Sequence, residues 1–175
     1  PSLGKGILEL TDIISSPYPG ASVVPSICRA TFDRRTLVGE DEAFILGQVE
    51  EAIEEAKKKV PDLKARVYLA QGSEKCWTGE TIEAKRYFPA WLIDEKDELV
   101  QKALAGLKEA GIDAPISHFA FCTNGSHFCG EAGIPCIGFG PSLESLAHVR
   151  DEYIEIDQLK KACRGFYGIL SQLTK

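Results

Sequence analysis

Three histidines, six cysteines and several adjacent glutamates are the side chains of this 175-residue chain best suited to catalysis or metal binding. His148 lies eight residues beyond Gly140, in a loop-like segment after the short apolar run PCIGFG. Imidazole is a common zinc ligand and also a common surface group, so a lone histidine leaves both readings open. His118 sits inside a strand pattern and reads as structural. His127 follows TNG on a short helical stretch and faces either a cleft or solvent. Cys122, His127, Cys129 and Cys136 form a zinc cluster only on paper, because their spacing lacks a close C-x-x-C pair. Glu50-Glu51 and Glu54-Glu55 are adjacent pairs, but both fall on an amphipathic helix and read as its solvated face. GFGP at 138–141 is either a tight turn or a place where backbone N–H groups approach a ligand at Gly140. No G-x-S-x-G elbow offers a serine nucleophile, and no glycine-rich phosphate or dinucleotide loop occurs.

The elements that would carry these residues follow from periodicity. GILELTDII at 6–14 and ICRATFDRR at 27–35 read as strands, separated by a loop rich in Ser, Pro and Gly. Leu46, Val49, Ile53, Ala56 and Val60 recur at helical spacing. Glu40, Asp41 and Glu42 open that helix and Lys57, Lys58 and Lys59 close it, both complementing its dipole. ARVYLAQ at 65–71 predicts a third strand, and 72–90 a long loop with a return strand. Leu99, Val100, Ala103, Leu104 and Leu107 predict a second helix closed by Gly111. ISHFAF at 116–121 and PCIGFG at 135–140 are strand-like, with a short helix between them that ends at Gly133. Asp157 is the expected cap of a last helix whose inner face would carry Leu159, Ala162, Phe166, Leu170 and Leu173. The fold class expected is α/β: a partial α+β domain ordered β-β-α-β over 1–90, then an α-β-α-β-α unit over 91–175.

Composition narrows the functions. Hydrophobic content of 44% and charged content of 26% are those of a globular protein. A net charge of -6 and a pI near 5.2, with no Lys/Arg cluster, argue against nucleic acid as a partner. No run of ~18 apolar residues predicts a membrane span, and PSLGKG shows no signal-peptide pattern. The six cysteines read as reduced, packed thiols, and the expected location is cytoplasmic. The chain has no methionine and begins at Pro1, which is compatible with a piece of a longer protein.

Several segments, in order, carry a resemblance. FDRRTLVGE followed by a helix, SVVP at 22–25, TNG at 123–125, AGIPCIGFGP, and then AH before DEY resemble the acetylornithine deacetylase, succinyl-diaminopimelate desuccinylase and aminoacylase family of zinc metallopeptidases. LGKG at 3–6, DRR at 33–35, YFP at 87–89 and CTNG at 122–125 are most similar to its selenium-metabolism-linked, YgeY-like branch. The resemblance implies an incomplete lid, or dimerisation-type, domain over 1–90 and the C-terminal part of a catalytic α/β domain over 91–175.

It also implies roles. The histidine of the closing A-H-x-x-x-E pattern, here His148, would be a metal ligand. The arginine ending the lid strand, here Arg35, would bind a substrate carboxylate, for which a guanidinium fork is suited. Thr123, Asn124 and Gly125 would contact substrate, with Gly140 near the same site. The complete enzyme would use two zinc ions, or other divalent metals, to hydrolyse an amide bond of an acylated amino acid or small peptide, and would be a homodimer. The His-x-Asp segment, bridging aspartate and Glu-Glu pair of that mechanism would lie upstream, so no catalytic residue is expected here and this chain alone should be inactive or nearly so. The alternative is a non-catalytic dimerisation or partner-binding module derived from the same family.

Overall fold

A computed structural model describes residues 4–175. The chain divides into two compact units, Pro1–Ala90 and Trp91–Lys175. Leu3 of the LGKG segment lies outside the described residues, as does Pro1. The architecture is mixed α and β, with two small antiparallel sheets and three α-helices among the described residues.

The first unit opens on a hairpin. Strand β1 (Ile7–Ser16) pairs antiparallel with β2 (Ile27–Arg35), running from Ile7 opposite Arg35 to Ser16 opposite Ile27. The register shifts between Leu10 and Asp12, and the Thr11 hydroxyl donates to the Thr31 carbonyl at 3.1 Å. Helix α1 (Glu42–Lys59) begins where Asp41 accepts the Phe44 N–H at 2.8 Å, satisfying one orphan donor of its first turn. Its last turn carries Lys57, Lys58 and Lys59 beside the C-terminal carbonyls. The third strand expected at 65–71 is corrected. Residues 65–70 are not part of a strand, and a hairpin of β3 (Gln71–Lys75) and β4 (Thr81–Lys85) follows. β-branched and apolar residues favour extended backbone, but only a ladder partner makes a strand. The unit therefore reads β-β-α-β-β rather than β-β-α-β.

A polar knot closes the turn between β2 and α1. One Arg34 nitrogen donates to the Gln48 amide oxygen at 2.7 Å and another pairs with Glu40 at 3.1 Å. The second Glu40 oxygen accepts the Leu37 N–H at 3.0 Å, and the Tyr87 hydroxyl donates to the Glu40 carbonyl. The Arg34 and Glu40 side chains are only 16% and 15% exposed, so this pair is shielded from water far more than a surface ion pair. Arg34→Ala should therefore lower the stability of the first unit by about 2 kcal/mol, because it strands a mostly buried carboxylate. Arg34→Lys should recover little, since one ammonium cannot reach both Gln48 and Glu40 as the fork does. Urea unfolding of both variants checks this.

The second unit is built on two helices. Helix α2 (Glu98–Glu109) starts where Asp97 accepts the Leu99 N–H at 2.8 Å. It ends in a Schellman arrangement: Gly111, at φ +72°, donates to the Lys108 carbonyl and Ile112 donates to that of Leu107. Helix α3 (Ile156–Leu173) packs against it. Two expectations about α3 are corrected. Glu155 occupies the cap position without a side-chain bond, and Asp157 lies inside the first turn. Of the expected inner face Ala162 is buried and Leu173 packs on the core, but the other buried positions are Gly165, Gly168 and Ile169, whereas Leu159 and Leu170 are more than half exposed. The reason is close backbone approach: a Cβ on Gly106 would overlap the Gly168 carbonyl, and one on Gly168 the Gly106 carbonyl. The glycine side of α3 can come nearer to α2 than the leucine side.

The strands expected at 116–121 and 135–140 are also corrected. Neither segment pairs as a strand among the described residues, and the first ends in a bend at Ala120 and Phe121. They are held by other means. Ile137 and Phe139 pack on the Ala103, Leu107 and Ile169 core. Phe119 lies so close to Gly138 that a Cβ there would overlap its ring. Phe119 stacks on Phe121 at 4.9 Å between centroids. The α-β-α-β-α order thus reduces to α2, a π-helical turn, a short 3-10 turn and α3.

Candidate functional site

Arg35 ends β2 in the first unit. Alternation along the strand puts it on the face opposite the Arg34 knot, with Asp33. It is about half exposed, and its guanidinium meets Asp33 at 3.2 Å. The DRR segment therefore divides its labour: Arg34 is locked into the fold, and Arg35 keeps an exposed fork. Nothing in the sequence distinguishes the two arginines except strand phase.

The other candidates lie in the second unit. Thr123, Asn124 and Gly125 form a turn that leads into a π-helix, Ser126–Glu131. The Gly125 N–H donates to the Thr123 hydroxyl at 3.2 Å. The Asn124 carbonyl accepts N–H groups from both His127 and Phe128 at 3.1 Å. Single π-helical turns are frequent at functional sites. Gly125 has φ -57°, so its need for glycine is not conformational. A Cβ would stand 2.5 Å from the Trp91 indole, and the close approach it permits is to that ring. Ser126 is buried, with its hydroxyl 3.5 Å from the Cys122 sulfur. His127 places Nδ1 2.8 Å from Glu131 on the same turn. Gly140 faces open space on its Cβ side, which leaves its backbone approachable.

His148 is exposed, on the loop between a 3-10 turn, Glu144–Leu146, and α3. Its backbone is left-handed at φ +61°. Its N–H donates to the Glu152 carboxylate at 3.0 Å. The same loop is tied down at two other points. Glu144 accepts the Ala120 N–H at 2.8 Å, and Gln158 accepts the N–H of Ser142 at 2.6 Å. Ser142 and Asp151 also have positive φ, at 77° and 58°. Non-glycine residues in this region cost ~1–3 kcal/mol each and cluster at ligand sites. Sequence reasoning saw Glu152 only as the end of A-H-x-x-x-E, and missed Glu144, Gln158 and Trp91. A carboxylate four residues from His148 was the one available signal.

A zinc site typically needs about three protein ligands. Among the described residues, no group of three or more His, Cys, Asp or Glu side chains could hold a metal ion. Cys122, His127, Cys129 and Cys136 do not form one. His148 fits the part of a single imidazole donor, exposed on a backbone held in place. The glutamate pairs behave as a solvated face: Glu54 meets Lys57 at 2.7 Å, and Glu55 pairs with Lys58. All six cysteines are free thiols, but Cys28, Cys122 and Cys163 are exposed and none is buried, so they are not the packed thiols expected. Partial desolvation, and then the neighbouring Cys129, push the half-buried Cys136 thiol above its ordinary pKa.

The profile of peptidase family M20/M25/M40 matches residues 8–172, nearly the whole chain and both units. The chain belongs to that family. Two relatives are similar to it: the uncharacterized protein YgeY of Escherichia coli strain K12 and that of Escherichia coli O157:H7. Each is 33% identical over 152 residues, which cover 86% of this M20 chain and 36% of the relative. The chain thus spans little more than a third of the length of the curated relatives it matches. No solved structure matches it at a significant level. No helix among the described residues is long and apolar enough to cross a membrane.

Proposed function

We propose that this chain is the C-terminal portion of a metal-dependent M20 amidohydrolase, and that His148 supplies one ligand to a dinuclear zinc site whose other ligands and general base lie elsewhere in the longer protein. The observation that carries this reading is His148 itself: exposed, left-handed at φ +61°, and bonded through its N–H to Glu152, within a chain matched to a peptidase family along nearly its whole length. The first unit would be the lid domain and the second the end of the catalytic domain. Bound zinc would supply a polarised water and a Lewis acid for amide cleavage. The chain's own groups would bind and orient. The Arg35 fork suits a substrate carboxylate. The Thr123–Gly125 turn, closed by the Gly125 N–H on the Thr123 hydroxyl, would offer the exposed Asn124 carboxamide beside a backbone packed tightly on Trp91. Gly140 would let substrate approach the main chain. The substrate class is an acylated amino acid or a small peptide, and the site of action is the cytoplasm.

The test is hydrolysis of N-acetylated amino acids with added zinc. The 175-residue chain alone should show no zinc-dependent rate above background, because one imidazole cannot hold an activated water. Appreciable zinc-dependent turnover by the isolated chain would contradict the reading.

A second reading is favoured by one observation. Leu8, Leu10, Ile13 and Phe32, on one face of the first hairpin, are 47–63% exposed. An apolar surface of this kind suits a dimer or another protein. Light scattering after size exclusion should then show a dimer of this chain, and a clean monomer argues against the dimerisation role.

A further inference from the structure

We infer that Glu152 is the positioning residue of His148, holding its backbone in the one conformation that presents the ring; this rests on the reading of His148 as a metal ligand. A residue with a Cβ loses ~1–2 kcal/mol in the left-handed region, so His148 does not stay there unaided. The Glu152 Oε2 atom accepts its N–H at 3.0 Å. The return of the chain needed for that bond is made at Asp151, whose φ is also positive, at 58°. Two left-handed residues thus bracket a turn that a carboxylate closes from four positions downstream. The neighbouring Arg150–Asp151 pair, at 3.9 Å and more than nine-tenths exposed, adds little. A charge-assisted bond to a backbone N–H is about twice as strong as a neutral one, which suits it to hold a strained residue. Groups that orient a metal ligand typically change metal affinity by ~10–100-fold when removed.

The experiment compares the chain with Glu152→Ala and Glu152→Gln by NMR. Two signals are read: hydrogen exchange of the His148 amide, and the midpoint of a zinc chloride titration at the His148 ring. Glu152→Ala should speed the exchange about tenfold and raise the midpoint by ~10-fold or more. Glu152→Gln keeps an acceptor oxygen and should restore most of both. Unchanged His148 exchange in Glu152→Ala overturns the inference. Should that variant also unfold at lower temperature, Glu152→Gln decides: His148 exchange as fast as in the alanine variant overturns the inference, and exchange near that of the unsubstituted chain supports it. If Glu152→Ala speeds exchange while the His148 ring ignores zinc in every variant, Glu152 still positions the loop and the ligand reading of His148 fails.

Discussion

Gly168→Ala should destabilise the second unit by about 2–3 kcal/mol, as an overpacked core does. The added Cβ would overlap the Gly106 carbonyl and crowd the Ala110 Cβ at 3.2 Å. Relief requires α2 and α3 to separate, and their contact is the core of that unit. Alanine gains about 1 kcal/mol of helix propensity over glycine, so the overlap must outweigh that gain. Gly106→Ala should behave likewise, meeting the same carbonyl pair from the other helix. Gly47 provides the contrast. It lies in α1, and an added Cβ would meet nothing within 4 Å, so Gly47→Ala should stabilise the first unit by roughly 0.5–1 kcal/mol. Thermal unfolding of the three variants reads the sign directly. A stabilised Gly168→Ala would mean the helices do not touch there.

That contact also shows why part of the fold was legible from residues alone and part was not. Helices α1 and α2 were legible because their signals are local: acidic residues opening α1 and lysines in its last turn, and for α2 an apolar stripe closed by Gly111. Strand β1 was legible from its β-branched and apolar residues, and β2 from its alternation. The buried face of α3 was legible only at Ala162 and Leu173. Leu159, Phe166 and Leu170 look like a core stripe, yet a stripe of small residues came closer to its neighbour. The segments at 65–70, 116–121 and 135–140 carry strand-like residues, but pairing is a property of a partner and is not encoded within the segment. For the candidate site, the order of GFGP, His148 and DEY marked the histidine. Its left-handed backbone and its bond to Glu152 could not be read in advance, because both arise from the fold of the loop. The same holds for Arg34 and Arg35, which only strand phase separates.

His148→Asn should part stability from function more cleanly than any other substitution here. Asparagine visits the left-handed region more readily than most residues with a side chain. The N–H that Glu152 accepts belongs to the backbone and survives the change. The unfolding free energy should therefore stay within about 0.5 kcal/mol of the original, or rise slightly. Zinc binding at this position should fall at least ~10-fold, because a carboxamide is a poor substitute for imidazole on zinc. Zinc titration followed at all three histidine rings of the chain, His118, His127 and His148, shows whether the response belongs to His148. A large loss of stability in His148→Asn would instead mean that the ring is part of the packing.

The most direct test of the central claim is zinc-dependent hydrolysis of N-acyl amino acids by the protein at the full length of its relatives, with and without His148→Asn. The account predicts a fall of about 100-fold or more in kcat/KM, equivalent to roughly 2.7 kcal/mol of transition-state stabilisation, with the unfolding temperature unchanged. A substituted protein that folds and hydrolyses these substrates at the original rate would contradict it.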